Sequence, residues 1–156
     1  MEKQIESFII YLHNVKKTSQ NTELSYQRDL MKMMRFLQEQ NVERVSEVTE
    51  TNLNSYILDL EKKGMAAATV SRNIASMKAF YLYLLKNGKV HQDPAENLKA
   101  PKVEKKIPDI LSVTEMARLL EQPAERTAKG LRDRAMLELL YATGIRVTEL
   151  ISLKLD

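Results

Sequence analysis

Apolar residues recur along most of this chain at intervals of three and four positions, the spacing that places side chains on one face of an α-helix. The second such segment can be capped by Thr18 or Ser19 and the third by Thr49 or Thr51, and glycines follow the third and fourth. Four helices that each have one apolar face can close a small bundle, so the pattern predicts an all-α domain over residues 1–87. The four predicted helices cover residues 2–13, about twenty residues from the second cap, 49–63 and 66–87.

The phase of these stripes predicts which side chains lie in the core and which meet solvent. Among the positions on the apolar stripes of the second and fourth helices, five are expected to be buried: Tyr26, Leu30, Ile74, Met77 and Tyr81. Among the polar positions on the opposite faces, four are expected to be exposed: Arg28, Arg35, Arg72 and Ser76.

The helical pattern is interrupted at residues 88–108, a stretch that is rich in lysine and proline and has few apolar residues to anchor it. These features predict a linker between two domains. The pattern resumes in a second region, 109–156. There the segment 131–142 is apolar on more than one face and is expected to be buried. Gly144 then permits a sharp turn before a last helix that begins near Arg146.

The composition excludes several classes of protein. Hydrophobic residues make up 44% and charged residues 29% of the chain, as in ordinary soluble domains. The absence of cysteine excludes disulfides and thiolate metal sites, and two histidines argue against a zinc or histidine-based catalytic site. No apolar run approaches the roughly 20 residues that span a bilayer. The charged N-terminus does not resemble a signal peptide, so we expect a cytoplasmic protein with no metal and no membrane segment.

The net charge of +3 is distributed unevenly along the chain. Residues 62–106 have 10 Lys and Arg against 3 Asp and Glu, which gives +7, whereas residues 1–61 are net acidic. Such asymmetry indicates an anionic partner, and nucleic acid is the commonest one for a cytoplasmic protein. The alternative is a solvated helix face followed by a lysine-rich linker.

Two helix faces are suited to contact nucleic acid. Arg28, Lys32 and Arg35 are spaced i, i+4 and i+7, which makes a basic ridge on one side of the second helix. On the fourth helix, Arg72 and Ser76 would supply hydrogen-bond donors to phosphates or base edges, and neighbouring alanines would allow close approach to the backbone. The alternative is a solvated surface with ordinary arginines.

A second candidate site follows Gly144. Arg146 comes at the start of a predicted helix, where an arginine could clamp a phosphate with two hydrogen bonds. Glu149 lies three positions further on and could hold the guanidinium in place. From these residues alone, a surface Arg–Glu pair without catalytic meaning is the simpler interpretation.

Three stretches of sequence decide between these interpretations. They are TSQNT at 18–22 followed by SYQRDL at 25–30, TVSRNIASMKAFY at 69–81, and LRDRA at 131–135 continuing to YATGIRVTEL at 141–150. In residues, order and spacing they resemble the phage-integrase and Xer tyrosine recombinases, over essentially the whole chain. The resemblance and the basic faces together give the candidate DNA-binding residues: Thr18, Ser19, Asn21, Thr22, Arg28, Lys32, Arg35, Thr69, Arg72, Asn73, Ser76 and Lys102.

The resemblance implies a fold and a mechanism. It implies a four-helix SAM-like core-binding domain, a linker, and the first helices of a truncated catalytic domain. Full-length members clamp double-stranded DNA, cleave each strand through a tyrosine that forms a 3′-phosphotyrosyl link, need no cofactor, and act as a tetramer on two sites. By this resemblance Arg146 matches the first catalytic arginine and Glu149 an acidic neighbour that supports it.

The later catalytic motifs of that family have no counterpart in the chain. None of its six tyrosines matches the nucleophile, so we expect the chain by itself to bind DNA without cleaving it. A region of this size buries little surface alone, so we expect it either to be partly disordered or to pair with another copy, and we favour self-association because 131–142 is apolar on more than one face.

Two other functions stay open at this point: a regulator that occupies DNA sites without cutting, and a helical protein-interaction module. The resemblance does not decide between a role in chromosome dimer resolution and a role in mobile-element integration, and we favour the first, Xer-like role.

Overall fold

The computed structural model describes residues 1–102, 109–124 and 126–154, and these ranges contain helices joined by turns and loops, with no strand. This confirms the predicted all-α fold. The chain divides into two compact units, Met1–Lys105 and Lys106–Asp156. The first contains α1 (Glu2–Asn14), α2 (Gln20–Glu39), a 3-10 turn (Val45–Glu47), α3 (Glu50–Lys62) and α4 (Ala67–Lys86), and the second contains α5 (Val113–Leu120), α6 (Ala128–Thr143) and α7 (Val147–Ile151).

Side-chain caps fix where α2 and α3 begin. Ser19 accepts a hydrogen bond from the backbone N–H of Thr22, which makes it the cap of α2. Thr49 accepts from the N–H of Asn52, whose side-chain oxygen accepts from the N–H of Thr49 in return. Each cap satisfies an N–H group that the helix itself leaves unpaired, so these residues set the first turn of their helices.

The core of the first unit lies where α4 packs against α1, α2 and α3. Four of the five side chains predicted to be buried are so, with Leu30, Ile74, Met77 and Tyr81 exposing 2% or less of their surface. Tyr26 is only partly buried against this core. The phase predicted for α2 and α4 is therefore confirmed, although the buried part of α4 is wider than its apolar stripe.

The prediction that Ser76 is exposed is wrong. Ser76 is fully buried, and its hydroxyl donates to the carbonyl of Asn73 at 2.8 Å. Because three helices surround α4, burial extends beyond its apolar stripe to Asn73, Ser76 and Phe80. A serine can take such a place because a carbonyl of its own helix satisfies its hydroxyl.

The segment that follows residue 88, predicted to be a linker, packs against the first unit in this structure. Val90, Ala95 and Leu98 are buried in the core of the first unit. We call residues 88–102 the strap. A few apolar side chains anchor it although they have no helical spacing, and residues 103–108 of the predicted linker lie outside the described residues.

Hydrogen bonds fix the direction of the strap. Lys78 donates to the carbonyl of Glu96 at 3.0 Å, and the hydroxyl of Ser71 donates to the carbonyl of Pro101 at 3.4 Å. As the strap proceeds, its partners on α4 therefore move from Lys78 back to Ser71. The strap runs along α4 towards the N-terminal end of that helix.

The second unit buries much less apolar surface. Leu150 is the one buried large apolar side chain among its described residues, whereas Leu131 and Tyr141 expose more than half of theirs. The expectation that 131–142 is buried is wrong for this structure. The apolar side chains of α6 point in several directions, and the helices that contact it, α5 and α7, cover only some of them. Gly144 ends α6 at φ 67°, in the left-handed region, which confirms the predicted turn.

Burial of the strap predicts that it contributes to the stability of the first unit. Replacing Leu98 by alanine should lower the free energy of unfolding by roughly 2–5 kcal/mol, since it leaves a cavity in a packed core. Urea unfolding followed by tyrosine fluorescence measures this, because five of the six tyrosines lie in the first unit.

The control is Lys99→Ala at the neighbouring exposed position, which should change stability by less than about 0.5 kcal/mol. Equal urea midpoints for the two variants would show that the strap is a free linker after all.

Candidate nucleic-acid interface

A row of three basic side chains, Arg28, Lys32 and Arg35, stands exposed along α2, and we call it the α2 ridge. The spacing predicted this arrangement, because i, i+4 and i+7 fall on one side of a helix. Within the described ranges, no acidic side chain forms an ion pair with any of the three. Their charges are therefore open to an anion from solution.

Two side chains of the α2 ridge line a groove between α2, α3 and α4, which we call the α2–α4 groove. Lys32 and Arg35 line it from α2, Lys63 from the end of α3 and Thr69 from the start of α4. Lys63 donates to Asp59 at 2.6 Å, so part of its charge is compensated. The fold thus brings the predicted residues of two separate sequence stretches onto one face.

Asn73 lies at the bottom of this groove and is not available to an external partner. It is 2% exposed, its side-chain oxygen accepts from the hydroxyl of Tyr56 at 3.1 Å, and its amide donates to the carbonyl of Thr69. Burial gives no support to DNA contact by Asn73 or by Ser76, and both contacts stay predictions. Asn73 instead ties α4 to α3. Burial raises the pKa of Tyr56, and the charges of Asp29 and Asp59 raise it further, so its hydroxyl stays protonated.

Arg72 makes a two-pronged ion pair with Asp29 across α2 and α4. Its Nε donates to Oδ2 at 2.8 Å and its Nη2 donates to Oδ1 at 2.9 Å. The Asp29 side chain is 2% exposed, whereas 46% of the Arg72 side chain meets solvent, as predicted for Arg72. Hydrogen bonds to Asp29 raise the pKa of Arg72 above its ordinary value, so the guanidinium is always charged.

Sequence reasoning missed Asp29, although a signal for it exists. Asp29 lies three positions after Tyr26 and four before Met33, within the apolar stripe of α2. A carboxylate on the core side of a helix needs a cationic partner, because an unpaired buried charge is costly. The position of Asp29 on the apolar stripe therefore predicts a cationic side chain opposite it, which in the structure is Arg72.

The predicted residues of the TSQNT stretch mainly hold the turn between α1 and α2. The hydroxyl of Thr18 donates to the carboxylate of Glu23 at 3.1 Å, and the hydroxyls of Ser19 and Thr22 form a hydrogen bond of 2.9 Å. Glu23 is itself largely buried beside His13, at 3.3 Å. Asn21 is exposed. The structure assigns structural contacts to Thr18, Ser19 and Thr22, and DNA contact by this stretch stays a prediction.

The strap brings a further predicted residue to the start of α4. The carbonyl of Pro101 accepts from Ser71, the residue before Arg72, and the exposed Lys102 follows directly. Lys102 is thus close in space to the N-terminal half of α4, from which it is separated by 30 positions in sequence. Placement of Lys102 in a linker gave no reason to expect this.

In the second unit, Arg146 precedes α7 and pairs with Glu149. Its Nη1 donates to the carboxylate of Glu149 at 3.0 Å, and its backbone N–H donates to the same carboxylate at 2.8 Å. The predicted contact between the two side chains is therefore present. The Arg146 side chain is 82% exposed, so most of the guanidinium is open to solvent.

Two further features bear on the class of site. Among the residues that the structure describes, no group of three or more His, Cys, Asp or Glu side chains could hold a metal ion. In the same residues, no helix is long and apolar enough to cross a membrane.

The buried position of Asp29 predicts that replacing Arg72 and replacing Arg35 have different effects on the stability of the first unit. Arg72→Ala should lower the free energy of unfolding by roughly 1–3 kcal/mol, because it leaves a buried carboxylate without a partner, while the partial exposure of Arg72 limits the loss. Arg35→Ala should change it by less than about 0.5 kcal/mol. Urea unfolding measures both, and the additional change Asp29→Asn should restore part of the stability lost in Arg72→Ala. No recovery in the double variant would mean that the carboxylate is not what Arg72 stabilises.

Both units of the chain match models of known protein families. Residues 5–88 match the model of the phage integrase N-terminal SAM-like domain, and residues 109–156 match the model of the phage integrase family. The chain is 37% identical to the tyrosine recombinase XerD of Staphylococcus haemolyticus, covering 100% of this chain and 53% of that protein. It is 36% identical to the tyrosine recombinase XerC of Roseiflexus castenholzii, covering 100% of this chain and 50% of that protein. The chain thus spans about half the length of the curated relatives it matches.

Solved structures share the fold. The integrase of the Tn1549 transposon, residues 82–397, solved in complex with circular intermediate DNA, superposes with a TM-score of 0.65 at 18% identity. The match covers 97% of this chain and 49% of that one. With family models matching both units in order, the resemblance seen in the sequence motifs is confirmed, and the chain belongs to the phage integrase family of tyrosine recombinases.

Proposed function

We propose that the first unit binds double-stranded DNA through the α2–α4 groove and the α2 ridge, as the DNA-binding part of a site-specific tyrosine recombinase. The observation that carries this proposal is the exposed α2 ridge, for which the described residues provide no acidic partner. Lys32 and Arg35 line the groove together with Thr69, and the half-exposed Arg72 of α4 is held against α2 by Asp29. Unpaired arginine and lysine side chains on one face provide the electrostatic contacts that dominate binding to a phosphate backbone.

The start of α4 is suited to close approach. Its first residues are the exposed alanines at 66–68, no side chain caps it, and its first turn contains no acidic residue. Small side chains leave room for a phosphate backbone, and the absence of a carboxylate removes a source of repulsion. The major groove of B-DNA is about 12 Å wide and admits one helix. Either α4 or α2 could therefore enter it by its N-terminal half.

For the longer recombinase we propose strand cleavage through a tyrosine and a 3′-phosphotyrosyl intermediate, without a metal or other cofactor. The family model that matches residues 109–156 supports this, as does the exposed guanidinium of Arg146 held by Glu149. A fixed cation can stabilise the charge that develops on a scissile phosphate. Arg146 would be the catalytic residue and Glu149 the residue that positions it.

The biological setting is also a proposal. We infer a cytoplasmic protein with a Xer-like role in chromosome dimer resolution, which the XerC and XerD names of its relatives support. Members of the family act as tetramers on DNA by the resemblance noted above, and the same assembly is proposed for the longer protein.

DNA binding by the α2 ridge predicts a specific salt dependence. The affinity of the full chain for a 40-base-pair random-sequence duplex should fall steeply with salt, since bound phosphates release counterions. Lys32→Ala should weaken binding to all sequences alike and reduce the slope of log affinity against log salt by about 1. Fluorescence anisotropy with a labelled duplex at several salt concentrations measures both quantities.

The matched control is Lys3→Ala, an exposed lysine on α1 that does not line the groove. It should leave the slope unchanged. A binding constant that does not vary with salt, or an equal effect of the two substitutions, would count against the α2–α4 groove as the DNA-binding face.

Self-association is proposed for the second unit, because its exposed apolar side chains would be covered by a second copy. The mass measured by light scattering should rise with protein concentration, and Leu131→Lys on α6 should suppress the rise. Leu58→Lys on α3 is a matched control, since Leu58 is exposed to a similar extent, 54% against 56%. A monomeric mass at every concentration would refute the proposal.

A further inference from the structure

We propose that Asp29 is a positioning residue: it holds Arg72 in the orientation in which Arg72 reads DNA, and so sets how well the first unit discriminates between sequences. The inference rests on the DNA binding proposed above and adds to it a residue that cannot itself touch DNA. Asp29 is 2% exposed and lies behind Arg72 as seen from solvent, whereas nearly half of the Arg72 side chain is open.

The hydrogen bonds leave the useful edge of Arg72 free. A guanidinium has five N–H groups, and Asp29 accepts one from Nε and one from Nη2. The remaining three belong to Nη1 and to the second hydrogen of Nη2, which together form the outer edge of the guanidinium. This edge can donate two parallel bonds to a pair of acceptors such as O6 and N7 of guanine.

The carboxylate is itself held in place. Asp29 lies on α2, Arg72 lies on α4, and the next residue, Asn73, accepts a hydrogen bond from Tyr56 on α3. The Asp29–Arg72 pair joins α2 to α4, and the hydrogen bond of Asn73 joins α4 to α3 at the next position. An arginine loses rotamer freedom when it binds a base, and for Arg72 much of this freedom is already lost on folding.

The pair also changes the kind of attraction that Arg72 provides. The buried negative charge of Asp29 offsets the positive charge of Arg72, so the pair adds little to the attraction of phosphates in general. The directional donors at its outer edge remain. Arg72 should therefore contribute to sequence discrimination more than to general affinity, in contrast to the unpaired residues of the α2 ridge.

The test compares two duplexes of equal length with the full chain. One is enriched from a randomised pool by repeated binding, and the other is the same sequence scrambled. For Asp29→Asn the ratio of the two affinities should fall about tenfold, the size of one good base contact. Affinity for the scrambled duplex should stay the same or rise, because a negative charge has been removed.

Two controls separate positioning from a general loss of charge or fold. Glu61→Gln removes an exposed carboxylate of α3 that does not line the α2–α4 groove, and should keep the ratio. In the Arg72→Ala background, Asp29→Asn should leave the ratio unchanged, since the residue it positions is gone. A merely structural role for Asp29 would lower the affinity for both duplexes and would do so in either background.

A spectroscopic measurement covers the case in which Asp29→Asn does not fold. In the unmodified chain, the Arg72 Nε–H signal in nitrogen–proton correlation spectra should persist when the enriched duplex is added, because the pair stays intact in the complex. Loss of that signal on binding, or an unchanged ratio in a folded Asp29→Asn variant, overturns the inference and leaves DNA binding standing. Equal binding of all duplexes in the pool also overturns it. A chain that binds no duplex overturns the proposed function itself.

Discussion

Burial of α4 is the constraint on which the first unit depends. Contacts with α1, α2, α3 and the strap enclose this helix, so polar side chains on its covered sides must be satisfied inside the protein. Ser76 bonds to its own helix, Asn73 bonds to Tyr56, and Arg72 reaches Asp29 at the edge of the packed region. What α4 can offer to a partner is limited to the few positions that this enclosure leaves open.

The extent of that enclosure explains which parts of the fold could be predicted from sequence. Periodic stripes identify helices and the phase of their centres because a stripe is a property of one segment, and Leu30 and Ile74 were placed correctly for that reason. The width of the buried surface depends on how many neighbours pack around a helix, which no single segment records. The burial of Asn73 and Ser76 was not predicted, because sequence alone does not show whether a polar side chain is hydrogen-bonded inside the protein or faces water.

The sequence pattern led to an underestimate of burial in the strap and an overestimate of burial in the second unit. Three apolar side chains without periodicity anchor the strap, so composition suggested a linker where the structure has a packed segment. In 131–142 the apolar pattern is strong, yet burial requires neighbours that α5 and α7 do not provide in full. Local features of the second unit were predictable, as the Gly144 turn and the Arg146–Glu149 pair show, since each depends only on residues a few positions apart.

Cations of two kinds meet on the proposed DNA-binding face, and their surroundings separate their roles. The side chains of the α2 ridge are exposed charges without an acidic partner among the described residues, and such charges attract phosphates over several ångströms but specify little about where the phosphates lie. Arg72 is held in one direction by a buried carboxylate that offsets its charge, so its geometry suits selective contact more than attraction at a distance. Because cations of both kinds lie on α2 and α4, the net charge of a segment does not show which of its residues are suited to read sequence. The burial of the acidic partner is the better guide, since it decides whether a cation is free to move or held to one geometry.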